Sequence, residues 1–131
     1  MRQVILIVFV FCVQTAFAQS TGNNVYFKSP KNNAHVSQKF KVRFGLSGMQ
    51  IKPAGSLMEN TGHHHLIIDG DFIPKGEIVP ADKAHLHFGK GQKETEIELP
   101  KGKHHLTLQF ADGSHISYGK EMSQTIEIMV E

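Results

Sequence analysis

Histidine is the residue type whose number and spacing in this sequence point most clearly to chemistry. The 131 residues include nine His, and the pattern His-x-His occurs at His63 and His65 and again at His85 and His87. On a β-strand, alternate side chains lie on one face, about 6.5–7 Å apart at their roots. Two imidazoles at this spacing can bind a single ion, so each pair is a candidate for metal ligation.

Antiparallel pairing of these two segments would bring four imidazoles together, and two further His follow tight turns at 100–102 and 112–114. We therefore predict a metal site whose ligands are drawn from His63, His65, His85, His87, His115 and His104. The side chains predicted to support these ligands by hydrogen bonding are His64, Asp69 and Asp112. His35 and His105 are predicted to lie on the surface.

The ligand type favours a borderline transition metal. Neutral imidazole binds Cu, Zn, Ni and Fe, and a nitrogen site binds Cu(II) more tightly than Zn(II). Copper is therefore the first expectation and zinc the second. Two alternatives stay open from the residues alone. The His cluster would bind or act without a metal, or the histidines would be half-exposed strand residues with a structural or pH-responsive role.

The overall composition argues against several other functions. Lys+Arg 14 and Asp+Glu 12 give a net charge of +2, and without a cluster of Lys or Arg this does not indicate a nucleic-acid partner. A hydrophobic content of 40% and a charged content of 20% are typical of a folded domain. No Ser lies in the Gly-x-Ser-x-Gly pattern of hydrolases.

The first 18 residues have the pattern of a secretory signal peptide. Arg2 precedes an apolar run at 4–13, and Ala16-Phe17-Ala18 forms a small-x-small cleavage site. The run is shorter than the roughly 20 residues of a membrane-spanning helix, and an uncleaved anchor is the alternative. We predict a signal peptide over 1–18 and a periplasmic or secreted protein. Cleavage would remove Cys12, the single Cys, and leave all nine His.

Alternation of apolar and polar residues predicts the strands that must position these histidines. The longer alternating segments are 39–46, 94–99, 104–111 and 125–131, and the shorter ones are 25–28, 49–52, 64–69 and 84–88. This predicts an all-β domain over 25–131, an antiparallel immunoglobulin-like β-sandwich of seven or eight short strands, preceded by a short tail at 19–24. A small closed barrel is the alternative. Two long connections, 53–62 and 70–83, lead into the His segments, and such loops often carry function.

Four segments form a joint pattern: VYFKSP at 25–30, GHHHLIID at 62–69, HFGKGQ at 87–92 and LTLQFADGSH at 106–115. Together they resemble the bacterial family called domain of unknown function 4399. The resemblance implies a small exported β-sandwich module and implies no particular activity. The polar positions that match the family pattern are His63, His64, His65, Asp69, His85, His87, Lys90, Gln92, His104, Asp112 and His115.

Three functional hypotheses follow from these residues. The first is an exported binding or carrier module that holds copper or zinc and is not an enzyme. The second is a metal-dependent enzyme, in which an ion with an open position activates water and Asp69 or Asp112 acts as acid or base. The third is an accessory domain that binds a cell-envelope component or a protein partner without metal. The metal hypotheses require the ligand histidines to lie on one side of the sandwich.

Overall fold

The computed structural model of the protein describes Gly22 and residues 24–131. The predicted signal peptide at 1–18 and most of the predicted tail at 19–24 lie outside these residues. Within the described part of the chain, no helix is long and apolar enough to cross a membrane.

About half of residues 24–131 lie in strands and none lies in an α-helix, which confirms the all-β prediction. The strands are β1 (Asn24–Ser29), β2 (Ala34–Val36), β3 (Lys39–Ser47), β4 (Gln50–Ile51), β5 (Thr61–Ile68), β6 (His85–His87), β7 (Glu94–Glu98), β8 (Gly102–Ala111) and β9 (Ser123–Val130). One 3-10 helix, Lys120–Met122, precedes β9. All strands except β2 fall on segments predicted from alternation, and the segment of β2 is not among those predicted.

The strands form two sheets. The smaller has the order β1-β3-β7, and the larger has the order β2-β9-β8-β5-β4, with β6 also paired to β5. Most pairs are antiparallel, as expected, but β2–β9 and β4–β5 are parallel. The 52–60 connection between β4 and β5 permits this direction, which a tight hairpin would not.

The hydrophobic core lies between the two sheets. Phe40, Val42 and Phe44 alternate inward along β3, and Leu108 and Phe110 do so from β8. Burying a side chain of this size stabilises a fold by about 1.5–3 kcal/mol. Because residues 24–131 contain no Cys, the packing of this core is what joins the two sheets.

Strand β5 is buried on both of its faces. Residues on its inner face pack in the core, and the 70–83 connection covers its outer face. The hydroxyl of Thr107 donates to the carbonyl oxygen of Gly70 at 2.7 Å, and the amide of Ile73 donates to Oε1 of Gln109 at 3.0 Å. The polar face of an antiparallel strand commonly meets solvent. Here it is enclosed, so its polar residues are removed from water.

Candidate metal centre

Strand β5 carries three consecutive histidines. Because side chains alternate along a strand, these histidines lie on its two opposite faces. His63 and His65 lie on the outer face and are 0% and 1% exposed. His64 lies on the inner face, where its ring packs against those of Phe44 and Phe110 at centroid distances of 5.1 and 5.2 Å. Of the three histidines on β5, only His63 and His65 can therefore contribute to one site on the outer face.

The register of the β5–β6 pair places His87 beside these two rings. His65 lies directly opposite His87, and Ile67 lies opposite His85. Directly opposite residues of an antiparallel pair point to the same face. The ring centroid of His87 is accordingly 5.2 Å from that of His65 and 4.9 Å from that of His63.

The fourth imidazole comes from the turn that follows β8. His115 has a left-handed backbone with φ of 65°. Asp112 holds this turn, because its Oδ1 accepts hydrogen bonds from the amides of Ser114 at 2.8 Å and Ile116 at 3.0 Å. Such bonds are typical of turns that begin with Asp. The turn places the His115 ring 4.6 Å from that of His87, centroid to centroid.

The four rings converge on one small volume. One ring nitrogen from each of His63, His65, His87 and His115 lies within 4.8 Å of the other three. Nε2 of His87 is 3.1 Å from Nε2 of His63 and 2.9 Å from Nε2 of His115. Bonds of about 2.0–2.1 Å to a four-coordinate ion place neighbouring ligand nitrogens about 2.9–3.4 Å apart. The two separations from Nε2 of His87 therefore fit neighbouring ligands of one ion.

Hydrogen bonds among the rings cannot satisfy all of these nitrogens. Nε2 of a neutral imidazole either donates one hydrogen or accepts at one lone pair, so Nε2 of His87 can serve only one of its two neighbours. Both nitrogens of His65 and Nδ1 of His63 are buried without a hydrogen-bond partner in the described part of the chain. A cation among the rings would take a lone pair from each and offset part of this burial cost.

The environment keeps the buried imidazoles neutral. Burial, followed by repulsion from the neighbouring rings, lowers the pKa of His63 to about 4 and that of His65 to about 3. The negative charge of Asp112 opposes this shift at His63. Burial and the proximity of His115 also lower the pKa of His87. At neutral pH these three rings therefore keep the lone pairs that metal ligation requires.

A cleft of about 290 Å³ opens beside the rings. The residues that line it are His65, His87, His115, Ile78, Val79, Pro80 and Ala81. The 70–83 connection forms its apolar side and is attached to the ligand turn, because the amide of Val79 donates to the carbonyl oxygen of His115 at 2.9 Å. The site thus has a buried half on β5 and an accessible half at the cleft.

The absence of a side chain at Gly89 leaves room for the ring of His87. A Cβ at this position would overlap the imidazole, so only glycine leaves room for the ring in its observed orientation. The carbonyl oxygen of Gly89 also accepts a hydrogen bond from the amide of Ala54 at 2.8 Å. The 52–60 connection is therefore attached to the segment that carries His87.

The same connection is attached to the turn that carries His115. The amide of Gly55 donates to the carbonyl oxygen of Gly113 at 2.8 Å. A Cβ at Gly113 would overlap the backbone of Ser56, so the two segments pack without a side chain between them. The two long connections predicted to carry function thus both contact the ligand segments.

Two of the predicted ligands lie outside the four-histidine group. His85 is at the start of β6, where its Nδ1 donates to Oδ1 of Asp82 at 2.7 Å. His104 is near the start of β8, where its Nδ1 donates to Oδ2 of Asp69 at 2.8 Å. His85 shares the face of His87 but lies two residues further from the group, and His104 is separated from it by most of the length of β8.

Of the three predicted supporting residues, Asp112 is the one beside the site, where it holds the ligand turn. His64 lies on the opposite face of β5, and both of its ring nitrogens are buried without a partner in residues 24–131. Asp69 has a left-handed backbone with φ of 54°. Its carboxylate accepts from the ring of His104 and from the amide of His105, at 2.8 and 2.9 Å.

Sequence reasoning missed the residues that enclose the site. Gly89 and Gly113 stand two residues from ligands, but glycine at such positions is compatible with many loops. The apolar side of the cleft comes from the 70–83 connection, whose position depends on tertiary hydrogen bonds to Gln109 and Thr107. No local sequence pattern predicts such long-range hydrogen bonds.

The sequence and the fold of the chain are similar to those of other proteins. The sequence model of a family described as domain of unknown function (DUF4399) matches residues 42–131. No curated protein matches the sequence. The solved structure of the endo-beta-1,4-mannanase from Thermotoga petrophila is similar with a TM-score of 0.51 and 15% identity, over 87% of this chain and 21% of that chain. The chain thus spans 21% of the mannanase chain, and the similarity concerns the fold alone.

Proposed function

Because the chain belongs to the family described as a domain of unknown function (DUF4399), we propose its function from the site itself. The protein is a metal-binding module that holds one transition-metal ion, copper first and zinc second. The ligands are His63, His65, His87 and His115. The observation that carries this proposal is that one ring nitrogen from each lies within 4.8 Å of the others.

The preference for copper rests on the type of ligand. The four-residue group consists of imidazoles alone, and a nitrogen site follows the order in which Cu(II) binds more tightly than Zn(II). No thiolate is present in the group to favour zinc or Cu(I). The signal-peptide pattern at 1–18 supports a module that acts after export, in the periplasm or outside the cell.

Metal analysis of the exported, untagged protein tests the proposal. After incubation with Cu(II) or Zn(II) and removal of excess metal, we expect about one bound equivalent by native mass spectrometry. The paramagnetic Cu(II) form should show hyperfine coupling to several nitrogens. Less than a tenth of an equivalent of either metal would overturn the proposal.

Variants of the ligands make the test specific. His63→Ala/His65→Ala should abolish binding, but it also removes two buried rings and leaves cavities in the fold. His115→Asn, in a partly exposed turn, is therefore the second variant, because Asn tolerates the left-handed backbone at this position. It should weaken binding at least about tenfold while the unfolding midpoint of the metal-free protein is unchanged. His35→Ala/His105→Ala removes two exposed rings and should keep full occupancy; full occupancy in His63→Ala/His65→Ala would move the site elsewhere.

A metal-dependent enzyme is a second candidate, and the cleft of about 290 Å³ beside three of the ligands is the observation that favours it. A small substrate in this cleft would reach the ion if one coordination position were exchangeable. Solvent-proton relaxation of the Cu(II) form measures that position. A coordinatively saturated ion would count against the enzyme and leave the binding module as the function.

A further inference from the structure

Four lysines line a second and larger cleft, of about 630 Å³. Lys28 comes from β1, Lys52 follows β4, and Lys90 and Lys93 lie in the connection between β6 and β7. Because they come from separate segments, the sequence shows no basic cluster. None of the described residues that line this lysine cleft is Asp or Glu.

The positive charge of the lysine cleft is not balanced within residues 24–131. Elsewhere in residues 24–131 some basic side chains form ion pairs, such as Lys39 with Glu96 at 3.1 Å and Lys103 with Glu127 at 3.0 Å, whereas single lysines such as Lys101 do not. In the described part of the chain, no cleft lysine forms such a pair. What distinguishes the cleft in this part of the chain is that four unpaired lysines line it together with no acidic side chain among them, which makes it a local patch of positive charge.

Exposed apolar side chains project from the 52–60 connection, which begins at the lysine cleft. Lys52 and Pro53 line the cleft, and further along the same connection Leu57 is 71% exposed and Met58 is 60% exposed. Large apolar side chains left this exposed in adjacent positions are typical of a binding surface. Glu59 is the one acidic residue on the connection.

We propose that this face of the protein docks onto an anionic lipid surface. Lysines in a cleft from which a connection with exposed apolar side chains continues match a bilayer interface, where ammonium groups meet lipid phosphates and apolar side chains enter the acyl boundary. A free anion would account for the lysines and leave the exposure of Leu57 and Met58 without a role. A glycan is disfavoured because no aromatic side chain lines the cleft. The docking does not depend on the proposed metal site.

Flotation of the exported protein with lipid vesicles tests this docking. Mass spectrometry first verifies that residues 1–18 have been removed, since an apolar leader would itself bind lipid. We expect binding to phosphatidylcholine vesicles that contain about a third phosphatidylglycerol, and none to pure phosphatidylcholine. Raising the salt concentration should weaken the binding. Equal binding to both vesicles, or binding to neither, would overturn the proposal.

Paired variants locate the docking face. Lys52→Gln/Lys90→Gln should weaken binding about 25-fold, at roughly fivefold for each lysine, and Leu57→Ser/Met58→Ser should weaken it at least about tenfold. Lys75→Gln/Lys101→Gln is the matched control, because it removes the same charge from two lysines that form no ion pair in the described part of the chain and do not line the cleft, and it should have less than about a threefold effect. An equal loss in the control would show general charge attraction and contradict the proposal.

Two further outcomes also overturn it. Saturable binding of inorganic phosphate that prevents flotation would identify a soluble anion as the ligand. Loss of flotation in Leu57→Ser/Met58→Ser accompanied by a lower unfolding midpoint would show that these residues stabilise the fold instead. If the midpoint is unchanged, the loss supports docking.

Discussion

The two ends of β8 hold histidines in opposite chemical states. At one end, where Ala111 pairs with His63, the four rings of the candidate metal centre lie close together. At the other end, His104 donates from Nδ1 to Oδ2 of Asp69 and from Nε2 to the carbonyl oxygen of Pro100, both at 2.8 Å. Only an imidazolium can donate from both nitrogens. One end of the sheet therefore favours neutral rings and the other a cation.

The pKa values of the histidines in the two regions also differ, because the rings have different hydrogen-bond partners. Burial acts to lower the pKa of His104, but its hydrogen bonds to Asp69 and Pro100 together outweigh burial and raise it. At the metal centre, burial and the repulsion between rings act in the same direction, and the pKa of His65 is lowered to about 3. Whether a histidine of this protein is neutral or protonated therefore depends on the hydrogen-bond acceptors beside its ring more than on burial alone. A neutral ring can bind a metal, whereas the ring of His104 favours a proton.

The largest predicted effect is the gain in the free energy of unfolding on metal binding, which should depend on one region and not on the other. At a free metal concentration about 1,000 times the Kd, binding should stabilise the fold by about 4 kcal/mol. His104→Gln should show the same gain, because the ring of His104 lies outside the centre. Urea unfolding with and without metal measures both values. A gain that disappears in His104→Gln would contradict the separation of the two regions.

Acid should destabilise the metal-free protein through its centre. The pKa of His63 is about 4 in the fold and 6.5 in the unfolded chain, so the unfolded state binds more protons between these values. The stability that depends on the neutral ring is present above pH 6.5 and is lost as the pH falls toward 4. For His63 alone this loss amounts to about 3 kcal/mol. Unfolding by urea across this range, with chelator present, should show the decline in the wild type and a smaller one in His63→Gln; equal curves would refute it.

Gly89→Ala should disturb the centre and leave the rest of the fold nearly intact. The added methyl group would overlap the His87 imidazole and force the ring to turn, which we expect to weaken metal binding about tenfold. Gly45→Ala is the matched control, because its Cβ would overlap the ring of Tyr26, away from the centre. Competition with a coloured chelator gives the Kd of each. Equal affinities in Gly89→Ala and the wild type would show that the ring orientation is not constrained.

The smallest predicted effect is the contribution of His104 to stability. This contribution falls as the pH rises, which is opposite to the pH dependence of His63. Its pKa is raised in the fold, so its contribution to stability is complete below pH 6.5 and is lost as the pH rises through the folded value. Because Asp69 is largely exposed, this contribution is at most about 1 kcal/mol. His104→Gln should flatten the change in stability as the pH rises above 6.5. If the stability of His104→Gln changes with pH by as much as that of the wild type, the pH dependence comes from other groups.

The strands of the fold could be predicted because their pattern is local. Phe40, Val42 and Phe44 lie on one face of β3 wherever that strand packs, since a strand has a period of two residues. The same rule correctly separates His64 from His63 and His65. It needs no knowledge of the neighbouring strands.

The complete set of converging histidines could not be predicted, because it depends on register and on turns. Parity places His85 and His87 on one face, but the register pairs His65 with His87 and leaves His85 near Asp82. His115 joins the group through a left-handed turn fixed by Asp112. Its position after that turn is visible in the sequence, but the direction of its ring is not.

The division of the centre between an enclosed strand and an accessible cleft has a kinetic consequence. His63 and His65 are held on β5, whereas His87 is exposed and His115 partly exposed. If the proposed ion is bound, an incoming chelator would replace these two rings one at a time while the buried pair retains the ion. We expect exchange to be associative, so that the rate of metal transfer rises with the concentration of the acceptor and is not limited by spontaneous release.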